Sequence, residues 1–163
     1  MAGFGLTLAA PLIVNATAGA GSIAALQARE SANLAGKVLV DVANPLDFSG
    51  GLPPTLFVGD SDSLGEQIQR AFPQAKVVKS LNTLNAPLIV NPRQLADGQP
   101  TVFVSGNDPQ AKETVTGLLR SFGFTDVLDL GDISTARGAE MLLPLSIGLF
   151  GVLGPMFGFK IVR

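Results

Sequence analysis

Three short stretches carry the side chains with which this chain could grip a ligand: Asn15-Ala16-Thr17, Asn44-Pro45-Leu46 and Asn82-Thr83-Leu84. Asn and Thr hydrogen-bond a hydroxyl or a carboxamide without adding charge. Each stretch follows an apolar run that reads as a buried strand. A fourth stretch, Gly19-Ala20-Gly21-Ser22-Ile23-Ala24, matches the glycine pattern that cradles a pyrophosphate between a strand and a helix. Asp41 lies about twenty residues on, the spacing of an acidic residue on an adenosine ribose. Two features count against that fingerprint. Ala16-Thr17-Ala18 lengthen the turn beyond the tight one it needs, and a six-residue pattern arises easily among 19 glycines. A small-residue loop leading into a helix is the better reading.

Composition removes much other chemistry. The 163 residues include no His, Cys, Tyr or Trp. Triads built on histidine, cysteine nucleophiles and imidazole or thiolate zinc sites are therefore excluded. Acid–base work would fall to Asp, Glu or Lys, while hydride transfer between two bound cofactors stays open, because cofactors carry their own chemistry. With a net charge of −2 and no run of basic residues, nucleic acid is not an expected partner. Apolar residues make up 47% of the chain and charged ones 15%, which suits a packed domain. The stretch 1–27 is uncharged, but it lacks the basic start of a signal peptide. The stretch 141–159 is also uncharged and nearly long enough to span a bilayer. Pro144, Pro155 and several glycines interrupt it, so a soluble, cytoplasmic protein with an apolar buried helix is expected.

The elements that must position the candidate residues follow from the pattern. Strands are expected at 11–15, 37–41, 75–80, 101–105 and 126–130. Helices are expected at 21–32 with Ser22 as N-cap, from Asp62 or Ser63 to Phe72 with Glu66 closing a capping box, and from Asp108-Pro109 to Phe122 with Gly123 as the stop. A long apolar helix is expected at 134–150. The segment 44–60 reads as loop, and 87–97 as loop with a helical turn. Strands apolar on both faces, alternating with helices, define an α/β fold with a doubly wound, mostly parallel Rossmann-type sheet. The reading is one domain over 1–163: sheet and helices over 1–130, and a C-terminal helical segment over 131–163. In such a sheet ligands bind at the carboxyl ends of the strands, so the three Asn-bearing loops should converge on one edge.

Other polar groups read as structural. Arg137 and Glu140 stand three apart and could pair on the last helix. Asp129 and Asp132, flanking Gly131, are turn and cap residues. Phe48 and Phe57 lie in the long loop and could pack on a flat cofactor, with loop anchoring the preferred reading. Lys76 and Lys79 are too few for a nucleic-acid patch.

Five segments in order resemble one family: Val14-Asn-Ala-Thr-Ala-Gly19; Gly36-Lys-Val-Leu-Val-Asp-Val-Ala-Asn-Pro-Leu46; Phe72-Pro-Gln-Ala-Lys-Val-Val-Lys79 with Leu81-Asn-Thr83; Val102-Phe-Val-Ser-Gly-Asn-Asp108; and Asp129-Leu-Gly-Asp132 followed by Ala136-Arg137 and Glu140. The sequence resembles the NADP-dependent reductases of the deazaflavin coenzyme F-420 and the related bacterial NAD(P)-binding oxidoreductases. The resemblance implies NADP or NAD as one cofactor and coenzyme F-420 or another flavin-like acceptor as the other, with direct hydride transfer between them. It implies that Asn15, Ala16, Thr17, Asn44, Pro45, Leu46, Asn82, Thr83 and Leu84 line the nicotinamide and deazaflavin site. The family begins with a strand and Gly-rich turn for which 1–10 is too short, so the sheet is expected to be N-terminally truncated. Its new edge would be 11–15, exposed to pairing, and NADP binding would be weakened. Homodimerisation is expected. Two alternatives stay open: a non-catalytic binding or self-association module using Gly148, Gly151 and Gly154, and a membrane-anchored protein using 141–159.

Overall fold

The computed structural model describes residues 11–28 and 33–163. Its strands are Leu12–Asn15 (β1), Val38–Asp41 (β2), the two-residue Leu46–Asp47 (β3) and Thr55–Leu56 (β4), Lys76–Ser80 (β5), Thr101–Gly106 (β6) and Asp126–Gly131 (β7). The helices are Ser22–Gln27 (α1), Leu64–Ala71 (α2), Ala86–Val90 (α3), Pro109–Phe122 (α4), Ala136–Met141 (α5) and Leu143–Leu153 (α6). One sheet has the order β1-β2-β5-β6-β7, and β3 pairs with β4 in a small antiparallel ribbon inside the expected 44–60 loop.

The expected α/β, mostly parallel, Rossmann-type sheet is what forms. Strands β1, β2 and β5 run parallel, as do β6 and β7, but β5 and β6 are antiparallel. The connection between them holds only α3 and two short 3-10 turns. It therefore lacks the full crossover helix that returns a chain parallel. The carboxyl ends of β1, β2 and β5 consequently share one edge, while β6 and β7 point the other way.

Residue alternation divides the core. Leu39 and Val77 face Leu26, Leu64, Ile68 and Ala136 on one side of the sheet. Val40, Val78 and Val104 face Leu88, Ala111, Val115 and Leu119 on the other. Among the described residues β1 pairs on one side only, and Val14 is 53% exposed, which makes it an apolar edge strand.

Local capping holds these helices as the sequence indicates. Ser63 Oγ accepts from Glu66 N at 3.1 Å and donates to Glu66 Oε2 at 2.8 Å. Asp108 Oδ1 accepts from Ala111 N at 2.7 Å, and Gly123 ends α4 at φ 110°.

Three expectations need correction. Ser22 does not cap α1; Gly21 precedes the helix without a side-chain cap, and Ser22 is the first helical residue, drawn into a buried network. The observed helix ends at Gln27, and 29–32 lie outside the described residues. The long helix expected at 134–150 is a 3-10 turn followed by α5 and α6, interrupted at Leu142. Pro144 has no N–H to donate to the preceding turn, which accounts for the break. Arg137 and Glu140 do not pair with each other. Arg137 Nε donates to Glu66 Oε2 at 2.8 Å, and Glu140 turns inward to α2 and Lys79.

By length and composition the run Ile133–Leu153 could cross a membrane. Ala136, Ala139, Glu140 and Leu143 are nonetheless buried inside the domain. Of the 11 residues of α6 only Leu143 is buried. The chain then returns to the sheet, where Thr101 N donates to Phe159 O at 2.8 Å and Ile161 N to Thr101 Oγ1 at 2.9 Å.

Candidate functional site

Strand register places one row of polar residues at the shared edge. Asn15 pairs with Asp41, and Asp41 with Lys79, across three neighbouring strands. All three are at most 2% exposed, as is Glu140. Burial of these charges is tolerable because each is partnered. Lys79 Nζ donates to Asp41 Oδ2 at 2.8 Å and to Ala43 O at 2.5 Å, and lies 2.9 Å from Glu140 Oε1. Asp41 Oδ1 accepts from Asn15 Nδ2 at 2.8 Å and from Ala43 N at 3.3 Å. Glu140 accepts from Leu64 N at 2.8 Å and Gly65 N at 3.1 Å, so the carboxylate sits on the N-terminus of α2, where the helix dipole favours it. Asn15 Nδ2 also donates to Ser22 Oγ at 3.1 Å, and Asn15 Oδ1 accepts from Thr17 Oγ1 at 2.7 Å. The network thus fixes the loops after β1 and β2 to the sheet.

Those loops enclose a cavity of about 610 Å³ lined by 16–20, 42–44 and 46–48. Its wall is tight. A Cβ on Gly19 would stand 2.0 Å from Asn44 O, so only glycine lets the two loops meet. Among the described residues, Asn44 Oδ1 is a buried side-chain oxygen with no hydrogen-bond partner. An orphan acceptor of this kind costs about 1–3 kcal/mol. Among the described residues the lining contains no Lys or Arg, and Asp47 is its one charged residue. Neutral polar groups over an apolar wall suit an uncharged or cationic ring and not a phosphate.

A crystal structure of a protein described as an F420-dependent NADP reductase from Arthrobacter sp. FB24 superimposes with a TM-score of 0.93 at 64% identity, covering 96% of this chain and 72% of that one. The chain belongs to the F420-dependent NADP reductase family. The F420-dependent NADP reductase of Methanocaldococcus jannaschii is 29% identical over 117 residues, 71% of this chain and 52% of that protein. The metalloreductase STEAP3 of Rattus norvegicus is 36% identical over 129 residues, 72% of this chain and 24% of that protein. This reductase-family chain thus spans about half of the archaeal protein and about a quarter of STEAP3. The hypothetical protein SMa0349 of Sinorhizobium meliloti aligns with a TM-score of 0.61 at 29% identity, over 78% of this chain and 59% of that one. No family model matches the sequence.

In this member of the reductase family, Ala16, Thr17, Asn44 and Leu46 line the cavity together. Asn15 and Pro45 are buried beside it. The third loop stands apart: Asn82, Thr83 and Leu84 are buried, and Asn82 Nδ2 donates to Ala139 O at 2.9 Å. Gly19 to Ala24 forms a 3-10 turn and the start of α1, and Asp41 is consumed by Lys79. Lys76 pairs with Asp108 at 3.0 Å. Phe48 lines the cavity instead of only anchoring its loop. Sequence reasoning missed the Asp41–Lys79–Glu140 cluster. Its signal was a charged residue at or near the last position of two buried strands.

Proposed function

We propose that the chain binds the nicotinamide end of NADP or NAD in the 610 Å³ cavity, next to a deazaflavin such as coenzyme F-420 or another flavin-like acceptor. The nicotinamide supplies a hydride donor or acceptor when bound. The carrying observation is the meeting of two loops at one strand-end edge, their lining mostly neutral and apolar, with the Asn44 acceptor left unpaired. Thr17 and Asn44 would hold ribose or carboxamide hydrogens, and Leu46 would pack on the ring. Asn15 and Pro45, buried beside the cavity, would support the site from behind. The lack of Lys and Arg among the described lining residues supports a pose with the cofactor's phosphates outside the cavity. The orienting work needs no proton donor, in keeping with a chain without His, Cys or Tyr.

The test follows the visible absorption of the oxidised deazaflavin in the presence of NADPH. The reading expects bleaching that Asn44→Ala slows about tenfold in kcat/KM, the loss of about one hydrogen bond. No bleaching with NADPH or NADH, for deazaflavin or flavin, would overturn it.

A second observation supports self-association as a homodimer of a cytoplasmic protein. On α6, Leu145, Phe150, Val152 and Leu153 are 54%, 48%, 81% and 56% exposed. A Cβ on Gly148 or Gly151 would meet nothing within 4 Å, so these glycines leave room for a neighbouring helix. The first turns of the run Ile133–Leu153 are buried in the domain at Ala136, Ala139 and Glu140, and the 11 residues of α6 beyond them span only roughly 16 Å, which favours a protein surface. Sedimentation showing a monomer across the accessible concentration range would refute the dimer.

A further inference from the structure

The charge around the cavity bears on which form of its ligand it prefers. Among the described residues, Asp47 is the one charged side chain in the lining. Its Oδ1 accepts from Ser49 N at 2.8 Å, a hydrogen bond that holds the carboxyl below its ordinary range, so it is ionised at neutral pH. Behind the loops, the buried carboxyl groups of Asp41 and Glu140 share the single amino group of Lys79. Phe48, 59% exposed, lines the same cavity with an aromatic ring. An anion placed there would meet negative charge and no cation among the described lining residues. A planar cation would gain from the carboxylates and from the ring face. The Asn44 carboxamide adds an unpaired acceptor for an amide N–H.

A nicotinamide ring bears one positive charge when oxidised and none when reduced. We infer that the cavity discriminates between the two by charge, holding the oxidised N-alkylated ring more tightly, with Asp47 as the residue that sets the difference. The inference rests on the proposal that a nicotinamide ring binds here. Asp47 is half-buried at the end of β3, and water limits the effect to about threefold to fivefold in affinity.

The experiment is a calorimetric titration of the full chain with two probes, the cation 1-methylnicotinamide and neutral nicotinamide. Wild type should bind the cation about threefold to fivefold more tightly, and the ratio should shrink as salt is raised. Asp47→Asn, which keeps an acceptor for Ser49 N, should bring the ratio close to one. Asn44→Ala should weaken both probes alike. Equal binding of both probes by wild type, or a ratio unmoved by Asp47→Asn, overturns the charge inference and leaves the cofactor reading standing. Binding of neither probe overturns both.

Discussion

Replacing Lys79 with Met keeps the length of the side chain and removes its charge. Lys79 is 1% exposed and touches Asp41 Oδ2, Ala43 O and Glu140 Oε1 at 2.8, 2.5 and 2.9 Å. Without it, two buried carboxylates face each other. Asp41 keeps Asn15 Nδ2 and Ala43 N, and Glu140 keeps the two N–H groups of α2. Breaking one partner out of a buried ion pair costs about 3–5 kcal/mol. At about 2–4 °C per kcal/mol for a chain of this size, Tm should fall by roughly 6–20 °C. Urea unfolding at pH 7 reads the loss directly as a lower midpoint at unchanged slope. Adding Asp41→Asn to Lys79→Met removes one stranded charge and should recover at least about 1.5 kcal/mol, a non-additivity expected of touching groups. A single variant costing less than about 1 kcal/mol, or a double variant no better than the single, would show that the cluster does not hold the strand ends together.

Other outcomes follow from separate parts of the molecule. Gly19→Ala drives a methyl into Asn44 O and should cost about 1–3 kcal/mol while moving the cavity wall, read as a lower Tm together with weakened nicotinamide binding. The Lys160 ammonium, then the Thr101 hydroxyl and Arg163, hold the Asp126 carboxyl well below the usual range. A depressed folded value stabilises fully above the unfolded value of about 3.9 and is lost as pH falls through the lower one. Protection of the Thr101 and Ile161 amides against exchange should therefore drop at acid pH, and Asp126→Asn should show that drop already at pH 7. Arg70 holds Asp62 down at about pKa 2 by the same logic, but Arg70 is 60% exposed, so Arg70→Ala should cost under about 1 kcal/mol at neutral pH and less in high salt.

Much of this fold is legible from local chemistry. Ser63 with Glu66, Asp108 with Pro109 and Gly123 announce helix ends because capping is decided within one turn. The antiparallel entry of β6 is not legible, since direction depends on what the connection 81–100 does in three dimensions. The pairing of Arg137 is misread for the same reason: Glu140 stands three residues away, yet Glu66, 71 residues away, wins because Glu140 is held by Lys79 and α2. Ala16, Thr17, Asn44 and Leu46, expected from the strand-end rule and the family resemblance, line one cavity. Asn82 to Leu84 obey that rule and are still packed away beneath α5, because the rule names an edge and not the side chains that reach solvent there. Lys79 was hidden by its type: a lone lysine reads as surface charge until strand register sets it beside Asp41.

The central claim is that a nicotinamide cofactor enters between the loops after β1 and β2. It is tested most directly by titrating NADP into isotopically labelled chain and mapping the amide shifts. The account predicts saturable shifts concentrated at Ala16, Thr17, Gly19, Ala43, Asn44 and Asp47. Shifts confined instead to the second cavity, about 290 Å³ between Leu95, Pro100 and Phe157, would contradict it.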